Sequence, residues 1–250
     1  MEASNNLQEF LLASRQSRAR ESLLNHKLFY DLKLAAACAN YHLETYYSDV
    51  DSEGFDIVLD DQDHLRKMQI KTVLSTSATR LWEIRKAFLR PNIWFMDKLG
   101  FSESQEGLQG GVILMEIAPT GKRLEIKYYY TDIFILLAFY LKIIQRRNAS
   151  SQNYVRALFD EFRKRTRLYE TIKIRKSAFV ETKSASHLLG LMGFHSIDSN
   201  WNTGSLLGIA NQVLRLSPRI NHSPNQVENL KKYVAETISE HVDDDLVLFS

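Results

Sequence analysis

The stretch Gly54–Val73, GFDIVLDDQDHLRKMQIKTV, decides how this chain folds. FDIVL and RKMQIKTVL are β-branched and apolar runs, and the polar DDQDH between them reads as a hairpin connection. Each run also holds polar groups that a core strand has no use for: Asp56 in the first, Gln69 and Lys71 in the second. Alternate side chains of a strand share a face, so Gln69, Lys71 and Val73 point one way, and Met68, Ile70 and Thr72 the other. Asp56 and Val58 share a face of the first strand, and closing the hairpin brings Asp56 beside the Gln69–Lys71 pair.

On the N-terminal side, Leu24, Leu28, Ala35 and Cys38 recur at helical spacing, and no Gly or Pro interrupts Gln16 to Tyr41, which predicts a long helix. HLETYY reads as a short strand and DVDSEG as a turn. On the C-terminal side, LWEIRKAFLRPNIWFMDKLGFSESQEGLQ reads as a short helix followed by a surface loop. GGVILMEI and RLEIKYYY form a second hairpin around APTGK, and Thr131–Asp132 starts an apolar helix ending near Gln145. RRNASSQN has the composition of a linker. The expected organisation is a core over 1–147 and a mostly helical region over 148–250, with helices around YVRALFDEFRKRTRLYETI, SASHLLGLMGF, GSLLGIANQVLRL and PNQVENLKKYVAETISEHV. The fold class is α/β.

Composition sets outer bounds. The 250 residues are 44% apolar and 25% charged, enough for a sizeable core. The formal net charge is +2, which excludes a strongly basic protein and leaves room for a local basic face. A single cysteine, Cys38, forms no internal disulfide and reads as a small core residue. The N-terminus lacks the charged-then-apolar order of a signal peptide, and IFILLAFYLKII is too short to span a bilayer. An intracellular, cytoplasmic setting without a membrane span is expected.

Asp56 and the Gln69 amide carbonyl are hard oxygen ligands suited to Mg²⁺, and the Ile70 main-chain carbonyl can add a third. Lys71 beside a metal-bound water would orient it and offset charge building on a phosphate. That combination describes phosphodiester hydrolysis.

At these residues the chain resembles the PD-(D/E)xK nuclease superfamily, with Asp56 of GFD as the first acid and Gln69-Ile70-Lys71 in place of (D/E)xK. Phe55 replaces the proline before the acid, and Gln69 replaces an acid, a QxK version similar to the Mrr-type restriction nucleases. The resemblance implies a restriction endonuclease-like core of helix, central mixed sheet and flanking helices. It also implies a Mg²⁺-dependent DNA endonuclease, with Mn²⁺ as substitute, acting in restriction or defence; Holliday-junction resolution or repair would use the same core. One metal is expected because Gln69 removes a negative charge, and a homodimer would suit double-strand cleavage. The superfamily adds an acid from the preceding helix. Asp31, among Leu24, Leu28, Leu34, Ala35 and Cys38, is the first choice; Glu44 and Glu21 are rivals, Glu21 being read as off the Leu24–Leu28 face. Asp49, Asp51 and Glu53 of the turn could fold over the metal. The alternative is a non-catalytic nucleic-acid-binding or interaction module with the same fold.

Between Arg146 and Lys183 the cations Arg163, Lys164, Arg165, Arg167, Arg175 and Lys176 stand among few acids, with Tyr154, Tyr169 and Phe179 interleaved. Such a face attracts a phosphate backbone, although a solvated helix face has the same composition. A second cluster, Arg80, Arg85, Lys86 and Arg90, follows the QxK strand. The histidines show no zinc-ligand spacing, GLQGG lacks a P-loop lysine, and HSIDSNWNTG reads as a surface loop.

Overall fold

The computed structural model describes residues 3–47, 54–102, 106–120, 123–164, 169–194, 201–216 and 223–249. Helix α1 (Ala3–Leu12) precedes the long α2 (Ser17–Cys38), which buries Leu24, Leu28, Leu32 and Ala36 on a four-residue repeat together with Phe29. Cys38 lies on the opposite side and is exposed, so it is not the core residue its spacing suggested. Strand β1 (Glu44–Tyr47) then pairs antiparallel with β2 (Ile57–Asp60), and β2 with β3 (Leu65–Leu74).

The β2–β3 hairpin forms where the alternation placed it, and its turn chemistry is in the acids. Asp60 Oδ1 accepts from the Gln62 N–H at 2.8 Å, and Asp61 Oδ1 accepts from the His64 N–H at 2.7 Å. These carboxylates replace the backbone partners that a turn lacks, and they fix Gln62 at φ 76°.

Past β3 the chain makes β4 (Leu81–Arg85) and the one-turn α3 (Lys86–Leu89) before returning to β5 (Gly111–Thr120), which runs parallel to β3. A parallel partner requires such a crossover. The expected short helix is present, but a strand precedes it: Trp82 and Ile84 alternate inward while Leu81 and Glu83 face out. Strand β6 (Arg123–Thr131) closes the second hairpin against β5. Asp132 caps α4 (Ile133–Tyr140), accepting from the Ile135 N–H at 2.8 Å. Every residue from Ile133 to Phe139 is buried, so α4 is apolar on all sides. It stops short of Gln145 because Lys142 takes φ 59° and β7 (Ile144–Arg146) follows.

RRNASSQN is a helix start: Asn148 accepts from the Ser151 N–H at 3.1 Å and caps α5 (Ala149–Arg163). Then come β8 (Thr171–Arg175), β9 (Val180–Glu181), α6 (Ala185–Met192), α7 (Trp201–Leu214), α8 (Pro224–His241) and β10 (Leu246–Leu248). These late strands return to early ones: β8 pairs with β4, β9 with β6 and β10 with β7. The expected 147/148 boundary therefore runs through one continuous apolar core. The architecture is α/β, with a mixed central sheet of order β1-β2-β3-β5-β6-β9 and flanking helices.

Asp132 ties these layers together. It is 2% exposed and, besides capping α4, accepts from Tyr130 Oη at 2.9 Å and lies 3.4 Å from the Arg66 guanidinium of β3. Asp132→Ala is expected to lower stability by about 3 kcal/mol in urea unfolding, because it strands a buried phenol, a cation and a helix end together.

Candidate functional site

The site begins just before β2. Gly54, with φ +80°, turns the chain into the strand, and the Arg85 side chain stands 3.4 Å from where a Cβ would be. The antiparallel register runs as far as Ile57 opposite Met68, and the Asp56 N–H, one residue outside it, donates to the Met68 carbonyl at 2.9 Å. The Asp56 carboxylate leans past that rung and accepts from the Ile70 N–H at 2.6 Å. The N–H and C=O of one strand residue point to the same edge, so the Ile70 carbonyl is directed to the edge where Asp56 stands.

That edge is open. Strand β2 covers β3 only from Leu65 to Met68, whereas β5 covers the other side of β3 from Met68 to Leu74. Into the gap comes the start of α2. Ser17, Arg20, Glu21 and Asn25 face Asp56, Ile70 and Thr72 across a cleft of about 160 Å³. Glu21 precedes Leu28 by seven residues, two helical turns, so it stands on the Leu28 side of α2, exposed at the cleft. It makes no hydrogen bond or ion pair among the described residues, which leaves its carboxylate available to the cleft.

The two acids first chosen to complete the site lie elsewhere. Asp31 is held by Lys27 at 2.5 Å and by Tyr128 Oη at 2.5 Å, and it lines a separate cavity with Cys38 and Ser184. Burial, and then the Asp31 hydrogen bond, push the Tyr128 phenol well above its ordinary pKa. Glu44 accepts from His42 at 2.7 Å and pairs in register with Asp60, at the far end of β2 from Asp56. Asp49, Asp51 and Glu53 lie outside the described residues.

Gln69 and Lys71 share the opposite face of β3. Met68, opposite Gly111, and Tyr128, which reaches Asp31 of α2, mark the α2 side of the sheet as the even-numbered side of β3. Neither Gln69 nor Lys71 lines the Asp56 cleft. Gln69 Oε1 is buried and has no hydrogen-bond partner among the described residues. Lys71 is half-buried and is paired with no acid among the described residues. On the same face, Tyr129 Oη lies 2.8 Å from both Glu116 and Glu181, and Lys176 donates to Glu116 at 2.9 Å. Burial raises the Glu116 pKa, but the Lys176 and Tyr129 hydrogen bonds outweigh it and hold the carboxyl below its usual range.

Much of the expected basic face is structural. Lys86 is 1% exposed and donates to Glu161 at 3.0 Å and Glu170 at 3.2 Å. Hydrogen bonds from Lys164, and then from Lys86, hold Glu161 below the ordinary carboxylate range. Arg90 is fully buried, with its guanidinium on the Phe162 and Lys164 carbonyls. Lys176 is tied to Glu116, Arg163 donates to the Gly100 carbonyl, and Arg85 lies over the Tyr169 ring. Arg175 is exposed over the Tyr154 ring. Arg165 and Arg167, like His195–Asn200 of the expected surface loop, lie outside the described residues.

Spacing also concealed a histidine pair: His187 and His241 bring their rings to 5.8 Å between α6 and α8. Among the described residues no three His, Cys, Asp or Glu side chains converge as a metal group. None of their helices is long and apolar enough to cross a membrane. Comparison of the chain with family models, with curated proteins and with solved structures finds no match.

Lys86→Ala, which leaves Glu161 and Glu170 facing a cavity, is expected to cost about 3 kcal/mol in denaturant unfolding. Arg175→Ala, at an exposed ring contact, is expected to cost at most about 1 kcal/mol in the same measurement.

Proposed function

We propose that this protein hydrolyses nucleic-acid phosphodiester bonds at the Asp56–Glu21 cleft with one divalent cation. The observation that carries the reading is that two acids from different elements, Glu21 of α2 and Asp56 at the mouth of β2, line one open cleft. The cleft lies against an unpaired strand edge toward which the Ile70 carbonyl is directed. Two carboxylates and a carbonyl fit Mg²⁺, which takes few protein ligands and keeps most of its waters. The fit does not need a third acid.

Bound there, the ion would supply a Lewis acid for a phosphate oxygen. The chain's own part is to hold the phosphate and balance its charge. Glu21 and Asp56 fix the cation side, with the Asp56 orientation locked by the Ile70 N–H. Arg20, on the same wall, presents a guanidinium that suits a phosphate. Lys71 stands one residue beyond Ile70 on the opposite face of β3, where no β2 neighbour covers the strand, and its flexible stem would have to turn round that edge for its ammonium to meet the reacting group. In this reading Glu21 takes the place first given to Asp31, and Gln69 supports the far face of the sheet.

A binding-only module is the second reading, favoured by Gln69 facing away from the cleft. Cleavage assays on plasmid and oligonucleotide substrates with Mg²⁺ or Mn²⁺, and with chelator as control, separate the two. Asp56→Asn and Glu21→Gln are each expected to reduce cleavage by about 10²-fold or more, while Asp31→Asn stays within about threefold of wild type. A wild type that cuts neither DNA nor RNA with either metal rules the nuclease reading out, and a Glu21→Gln variant that cuts at the wild-type rate removes Glu21 from the site.

A further inference from the structure

The Asp56 cleft does not end at Thr72. A second cleft of about 210 Å³ continues along the same side of β3, and Arg20 and Thr72 line both. Its walls are Leu11 and Leu12 at the end of α1 and the turn carrying Ser77 and Thr79. The floor is the unpaired edge of β3. Ser75 donates to the Ile117 carbonyl of β5, so the odd-numbered residues of this strand bond toward β5 and the even-numbered ones face the groove. The Ile70 carbonyl, both main-chain groups of Thr72 and the Leu74 N–H therefore point to an edge that no strand pairs with among the described residues.

We propose that this groove holds one strand of nucleic acid. The reacting phosphate lies at Glu21 and Asp56, and the neighbouring nucleoside occupies the second cleft. The inference rests on the nuclease reading for the identity of the first cleft. Two features set the ligand class. Cations stand along the path: Arg20 lies between the clefts with one guanidinium nitrogen braced on the Leu11 carbonyl at 2.5 Å, and Arg80 is held at the far turn by the Ser77 carbonyl at 2.7 Å. The second cleft mixes apolar walls with hydroxyls, as a base and sugar require, and has room for one nucleoside but not for a base pair. A groove floored by the edge of a single β-strand thus selects a single strand, or a strand end peeled from its complement.

The test uses the whole chain and a fluorescein-labelled single-stranded oligonucleotide. Binding is read by anisotropy with Ca²⁺ in place of Mg²⁺, and cleavage of the same oligonucleotide is read with Mg²⁺. Thr79→Trp fills the second cleft from an exposed turn and leaves Glu21 and Asp56 untouched. It is expected to weaken binding about tenfold, the contact of one nucleoside, and to raise KM by the same factor with kcat unchanged. Arg20→Gln, which adds no bulk, is expected to weaken binding as well, and a duplex of the same sequence to compete about tenfold less well than the single strand. The inference is overturned if both variants bind as wild type does, or if duplex competes equally, even where wild type cleaves normally. A wild type that binds the single strand in a Thr79-sensitive way but never cleaves removes the nuclease reading and keeps the groove. A wild type that does not bind removes both.

Discussion

The stagger of β3 sets everything else in place. Its first residues pair with β2 and its last with β5, and only Met68 is paired on both sides. A strand inside a sheet therefore has one uncovered edge. Unpaired backbone groups there would be costly or would recruit another strand, and the chain manages them one by one. Asp56 takes the Ile70 N–H, and the Ser77 N–H closes on the Leu74 carbonyl at 2.8 Å. What lies between is left to solvent and ligand. The cleft lined by Glu21 and the groove toward Thr79 both lie along that one gap, so they are products of incomplete pairing rather than additions to a finished sheet.

The same reasoning explains why several cations of the expected basic face are taken up by the fold itself. Late strands must be held against early ones across a long stretch of chain, and cations make many of these ties. Arg146 of β7 reaches Asp244 at 2.6 Å and donates to the Ser177 and Phe179 carbonyls. Lys86 joins α3 to α5 through Glu161, and Lys176 joins the end of β8 to Glu116 of β5. Buried pairs of this kind add little net stability over an apolar packing, but losing one partner is expensive, so they fix the arrangement more than they strengthen it. A cation paired with an acid in this way attracts a phosphate less strongly than an unpaired one.

What could be read from the sequence follows the range of the interactions. The β2–β3 and β5–β6 hairpins, α2 and the capped α8 were visible because alternation, periodicity and cap residues act over a few positions. Strand β4 was missed because its partner β8 lies far along the chain, and a lone LWEIR has no local signal to separate strand from helix. The linker-like RRNASSQN misled because Asn and Ser favour loops and helix caps alike, and only the Asn148 hydrogen bond tells which. At the site, Asp56 and Ile70 came from the hairpin register. Glu21 was set aside on a face argument that its seven-residue spacing from Leu28 reverses, and Asp31 looked suitable because the sequence does not show Tyr128 and Lys27 beside it.

Gln69 takes on a different meaning in this frame. Beside a metal, its neutral carbonyl would be a weak substitute for an acid. Facing away from the cleft, it stands among Lys71, Val112 and Leu114 on the far side of the sheet, and its Oε1 lacks a donor among the described residues. A carboxylate there would need a counter-charge, and Glu116 and Glu181 already draw on Lys176 and Lys127 nearby. An amide keeps that face neutral and leaves Lys71 paired with no acid among the described residues.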